Sequence, residues 1–143
     1  MKKLIWLLSF LFLLISCSKA DLAPITIKTS NGDVLYFVEI ADTPDKMIKG
    51  LMYREHLKSD SGMIFIFDAD HSQPIAMWMK NTFISLDMLF LNENKEIIAI
   101  YENAEPLSLK TIRPTLKPSA YVIELNAGEV KKHGIKPGDK ILY

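Results

Sequence analysis

Only one cysteine, Cys17, occurs in the 143 residues of the chain. The domain beyond it can hold no internal disulfide, no cysteine nucleophile and no cysteine-rich metal site, so its stability must come from an ordinary apolar core. Charge of one sign is also lacking, because 17 Lys and Arg stand against 17 Asp and Glu with no basic run. Phosphate backbones require clustered cations, and nucleic acid is therefore excluded as the expected partner. Catalytic signatures are missing as well. There is no Gly-rich phosphate loop, no His-Glu-x-x-His and no Gly-x-Ser-x-Gly, and the three histidines stand far apart at 56, 71 and 133.

Long apolar runs are rare too, and the one present is at the start of the chain. Lys2 and Lys3 precede an apolar stretch from Leu4 to Ile15, broken only by Ser9. This is the pattern of a secretion signal, and it is shorter than the roughly 20 residues a permanent membrane helix needs. It ends in Leu14-Ile15-Ser16-Cys17, which resembles the bacterial lipobox. That resemblance implies a signal peptide over 1–16, cleavage before Cys17, and acyl chains such as palmitate on Cys17. A chance cysteine in an ordinary signal is the alternative. Removing 1–16 takes two of the basic residues and leaves the domain slightly acidic. The expected location is the cell envelope, anchored by lipid, with the outer membrane favoured because Ser18 is not the aspartate that retains some lipoproteins at the inner membrane.

Residues 17–24 read as the lipidated cysteine and a spacer, and 25–143 as one globular domain, expected to be a monomer. Ile25 to Lys28 and Val34 to Ala41 are β-rich segments around the hairpin signal Asn31-Gly32. Thr43-Pro44-Asp45 opens a short helix, with an N-cap, a proline at the first helical position and an acid in the first turn. Four more strands are expected: Met63 to Phe67, Ala76 to Met79, Ile84 to Leu91 and Ile97 to Tyr101. Along the third, Leu86, Met88 and Phe90 alternate with Asp87, Leu89 and Leu91. Glu105 to Pro118 is a long irregular loop with three prolines, and loops of that length are often functional. A strand over Ala120 to Leu125 leads into a brief helix from Asn126 to His133, where Asn126 and Glu129 have capping-box spacing. Gly134 follows as a helix terminator, and Lys140 to Tyr143 is the last strand. The sum is α+β: a compact, mainly antiparallel or barrel-like sheet of about eight strands with two short helices.

The order Gly50-Leu51-Met52-Tyr53-Arg54, Gly62-Met63-Ile64-Phe65, Met77-Trp78-Met79-Lys80-Asn81-Thr82 and Leu86-Asp87 is followed by Glu124-Leu125, Gly128, Gly134 and Gly138-Asp139. Together these runs resemble the DUF192 family of small bacterial and archaeal proteins over about residues 34–142. The resemblance implies a compact α+β fold and no established activity. Two departures stand out. Ser85 occupies the place of a usual proline, and Lys110 to Pro114 replaces a loop that often carries a cysteine, so no role of that cysteine transfers.

The candidate site residues are Arg54, Trp78, Lys80, Asn81, Thr82, Asp87 and Glu124. Asp87 and Glu124 lie within apolar strands, where an unpaired carboxylate is costly, and Arg54 and Lys80 are the expected partners. One reading makes the set structural ion pairs and turn hydrogen bonds. The other makes it a shared polar pocket for a small anion, sugar or peptide end, with Trp78 lining it rather than filling the core. The methionines, notably Met77 and Met79, raise Cu(I) as an alternative to ordinary core packing. Asp68, Asp70 and His71 raise a divalent cation as an alternative to a turn. The expectation is no metal and no cofactor.

Three functions compete: a lipid-anchored binding or accessory module for a small polar ligand or an envelope protein, an envelope hydrolase or lyase with Asp87 or Glu124 as general base, and a purely structural lipoprotein. The enzyme requires two carboxylates, or a carboxylate and a cation, converging at an open cleft.

Overall fold

The computed structural model describes residues 22–67 and 74–143. Cys17 and the Asp68, Asp70 and His71 set lie outside them. The described residues form seven strands and two short helices in the order β1 (Leu22–Thr29), β2 (Gly32–Ala41), α1 (Pro44–Lys49), β3 (Ser61–Ile66), β4 (Leu86–Leu91), β5 (Ile97–Ala104), β6 (Tyr121–Asn126), α2 (Glu129–His133) and β7 (Lys140–Leu142). The strands make one curled sheet, a half-barrel, in the order β5-β4-β6-β3-β2-β1-β7. β2 and β3 are parallel, joined by a crossover that contains α1, and every other pairing is antiparallel. A bridge between Glu96 and Lys140 brings the two ends of the order together. The fold is mostly β, with less helix than an α+β label suggests.

Local chemistry explains most element ends. Thr43 caps α1 by accepting from the Lys46 amide, Pro44 occupies the first turn, and Gly50 ends it at φ 45°. Gly134 takes the left-handed conformation after α2 at φ 64°, and the Ile135 amide donates to the Val130 carbonyl. β1 begins at Leu22, earlier than the expected Ile25, because Leu22 to Pro24 pair with Glu39 to Phe37.

Two expected elements differ. Ala76 to Met79 is not a strand: in place of a ladder its backbone makes a bridge from Met77 to Ile112 and a bond from the Met79 amide to the Ser108 carbonyl. Its partner is the irregular 105–118 loop, which offers an isolated bridge rather than a ladder. The Asn126–Glu129 capping box does not form either. Asn126 turns its amide to the Leu57 and Lys58 carbonyls, Glu129 accepts from Tyr36 and Lys132, and Gly128 stands at the N-cap of a helix that begins at Glu129.

Alternation along the strands sorts the interior into two clusters, one on each face of the sheet. Ile25, Tyr36, Val38, Ile64, Leu89, Ile123 and Leu125 pack with Val130 beneath α2. Met63, Phe65, Leu86, Met88, Phe90 and Val122 pack with Leu51 and Met79 on the other face. All six residues of β4 are buried, so both faces of the central strands are covered.

Candidate functional site

The second face carries a cavity of about 240 Å³, a small one by the standard of ligand sites. Met47 and Ile48 of α1, with Leu51 and Met52 after it, form one wall. Ala76, Met77 and Trp78 form the facing wall, and Phe65 and Phe67, stacked at 6.5 Å, lie between them. Gly50 permits this closeness, since a Cβ there would stand 3.2 Å from the Phe65 ring. The polar side chains lining the cavity are Lys80, Thr82 and Glu124.

Tyr53 and Asn81, which follow the lining segments Gly50–Met52 and Ala76–Lys80 in the chain, are clasped together. The Tyr53 amide donates to the Asn81 carbonyl at 2.8 Å, and the Asn81 side-chain amide donates to the Tyr53 hydroxyl at 2.9 Å. Both residues have positive φ, 65° for Tyr53 and 54° for Asn81. Asparagine adopts this conformation more readily than most residues, whereas for tyrosine it is strained. Thr82 is buried, its hydroxyl donates to the Lys80 carbonyl, and its own carbonyl accepts from the Leu107 amide. Trp78 is 47% exposed, so it is a rim residue rather than core. The Lys80 ammonium rests over its ring, 5.3 Å from the centroid.

Glu124 is the unusual member. It is 4% exposed, flanked across the sheet by Met63 and Met88, and no hydrogen bond or ion pair reaches its carboxyl among the described residues. Burial pushes its carboxyl up to about 8, so the group holds a proton at neutral pH. The other buried carboxylates all have donors. Asp87 accepts from the Asn103, Gly128 and Val130 amides at 2.9 to 3.0 Å. Glu129 accepts from Tyr36 and Lys132, and Asp139 from the Lys136 amide.

The expected partnerships are therefore corrected. Arg54 binds neither Asp87 nor Glu124; its guanidinium forks onto both carboxylate oxygens of Glu39. Glu39 is opposite Met63, which is opposite Glu124, so the three share one row on one face of the sheet. Two strand spacings, roughly 10 Å, separate the two glutamates. Asp87 is opposite Leu125 and faces the other side, where it takes over the capping task at the start of α2 that Asn126 was expected to perform. Of the candidate residues, Trp78, Lys80, Thr82 and Glu124 line one cavity, Asn81 is outside the lining and bonds Tyr53, and Arg54 and Asp87 are taken up by Glu39 and by backbone amides. The apolar lining from Met47, Met52, Phe65 and Met77 was not singled out as a site in the sequence, because such residues read as core.

The fold and the cavity define a class of small, mostly β domains with a largely apolar pocket lined in part by a buried acid. The chain belongs to the DUF192 family, described as "Uncharacterized ACR", whose model matches residues 26–143. It is similar to a crystal structure of a protein of unknown function from Novosphingobium aromaticivorans, with 33% identity over 90% of this chain and 89% of that one and a TM-score of 0.82. It is also similar to a Sinorhizobium meliloti protein described as a "putative transcription regulator", with 41% identity over 87% of this chain and 96% of that one and a TM-score of 0.79. No functionally curated protein matches.

Proposed function

We propose that this chain is a binding module of the cell envelope, anchored through lipid on Cys17 with the outer membrane as its site, that holds a small ligand in the cavity above Glu124. The observation that carries the reading is the carboxyl itself. A buried acid without a protein partner weakens the fold, and a group retained at such a cost suits a ligand site. The cavity is more apolar than the sequence suggests, so the ligand has an apolar body and few polar groups.

An envelope hydrolase or lyase is the second reading, favoured by the Glu124 carboxyl at about 8, close to the pH at which a general acid or base works best. Lys80, in the same cavity, is then the cation that stabilises developing negative charge. Asp87 has no part in it, since its oxygens are taken up by backbone donors.

Native mass spectrometry of the protein isolated from its own membranes tests the proposal. Wild type is expected in the membrane fraction with an acylated cysteine and a small-molecule adduct. Cys17→Ala should move it to the soluble fraction, and Ala76→Trp, which fills the cavity wall, should remove the adduct. Soluble wild type with an unmodified cysteine would overturn the anchor. An adduct that persists in Ala76→Trp would overturn the site.

A further inference from the structure

We infer that the cavity takes a ligand with a primary ammonium group on an apolar body, the ammonium seated on Glu124. This rests on the binding-module reading above and names its ligand class. Everywhere else among the described residues the protein supplies its own donors to a buried carboxylate: three backbone amides to Asp87, Tyr36 and Lys132 to Glu129, the Lys136 amide to Asp139. Glu124 alone has none and lines an open cavity, so its donor comes from outside.

An ammonium answers that vacancy best. It brings three donors and the opposite charge, and in an apolar site a charge-assisted bond is stronger than a neutral one. A carboxylate or phosphate ligand would take at most one hydrogen bond from the neutral acid and hold its charge against Met47, Met52, Phe65 and Met77, and a sugar would leave most of its hydroxyls there. The rim already accepts a cation, since the Lys80 ammonium lies on the Trp78 face. Around Glu124, the titratable and charged groups on neighbouring elements are Lys80 in the cavity, the Glu39–Arg54 pair beyond Met63, and Tyr101 beyond Met88 on the same row. The α1 wall contributes Met47 and Ile48, which do not titrate. Glu39 and Arg54 neutralise each other, and Lys80 is exposed with its ammonium over the Trp78 ring, leaving Glu124 as the buried group that answers the ligand's charge.

The proton balance follows. Before binding the carboxyl is neutral; when the protonated amine enters, the carboxyl loses its proton to solvent, and a carboxylate–ammonium pair remains. Binding should release about one proton below pH 8 and tighten about tenfold per pH unit until Glu124 ionises unaided.

Calorimetry of the full chain with 2-phenylethylamine and its neutral isostere 2-phenylethanol, in two buffers of different ionisation enthalpy, tests this. The amine should bind at least about tenfold more tightly than the alcohol and release a proton, and Glu124→Gln should abolish that preference. Phe-Ala-Ala and its N-acetyl form distinguish a free amine from the amino end of a peptide, and tight binding of either amine supports the inference. Equal binding of amine and alcohol with no proton release would overturn the ammonium while leaving a binding module in place. Binding of none of these probes would overturn both. Proton release by wild type is read without any variant, so a Gln protein that fails to fold does not shield the inference.

Discussion

Asp87 and Glu124 lie on adjacent strands one position out of register, Asp87 opposite Leu125 and Glu124 opposite Met88, and so face opposite sides of the same sheet. Both are buried carboxylates, but their surroundings differ completely. Asp87 is held by three backbone amides and closes the start of α2; Glu124 borders the cavity and accepts from no donor among the described residues. The fold satisfies the first carboxyl and leaves the second to the cavity.

Asp87→Ala should therefore destabilise the domain by about 3–5 kcal/mol, because three amides lose a charged acceptor in the core. Urea unfolding followed by circular dichroism measures it. A loss under about 1 kcal/mol would show that water replaces the carboxylate and that α2 does not depend on it.

Glu124 gives stability a pH dependence of the opposite sense to a paired carboxylate. Its folded value of about 8 lies above the ordinary 4.5, so between those limits the folded protein keeps a proton that the unfolded chain releases. The contribution is complete below 4.5 and lost as pH rises through 8, on the order of 5 kcal/mol in all. Wild type should lose melting temperature over this window while Glu124→Gln stays flatter and exceeds it above pH 8. Parallel profiles for the two proteins would contradict this.

Gly62→Ala should be among the most damaging single-methyl changes. The added Cβ would stand 2.5 Å from the Glu124 carbonyl oxygen and 2.8 Å from a Leu125 methyl, in the centre of the sheet. The backbone of β6 cannot yield without breaking its ladder with β3 and β4, so a loss of about 1–3 kcal/mol or more is expected by chemical denaturation. Unchanged stability would mean that the strands slide apart at no cost.

Arg54→Ala and Glu39→Ala should each cost about 1–2 kcal/mol, with the double variant little worse than either, as the coupling of a half-buried bidentate pair requires. Additive losses in a double-mutant cycle would deny the pair.

Strand alternation, the Thr43-Pro44 helix start and the Asn31-Gly32 turn were legible because each is a local rule: side-chain period, cap and hairpin chemistry. The alternation of Leu86-Asp87-Met88 even carried the fact that Asp87 faces away from Met88, though not which face Glu124 would share, since that depends on the register of β4 against β6. The pairing of Arg54 with Glu39 was not legible, because it spans a crossover and nothing local marks Glu39 as a partner. Ala76 to Met79 looked like a strand by its apolar content but lacks a regular neighbour, and a strand needs a ladder as well as a pattern. The apolar lining of the cavity escaped for a related reason: methionines and phenylalanines that leave a gap have the same composition as those that fill one.

A titration of the Glu124 side-chain carboxyl carbon by NMR, in the free protein and with 2-phenylethylamine bound, is the most direct measurement. The account predicts a midpoint near 8 in the free protein and a fall toward the ordinary carboxylate range when the amine is bound. A free-protein midpoint near 4.5, or one that saturating amine does not move, would contradict it.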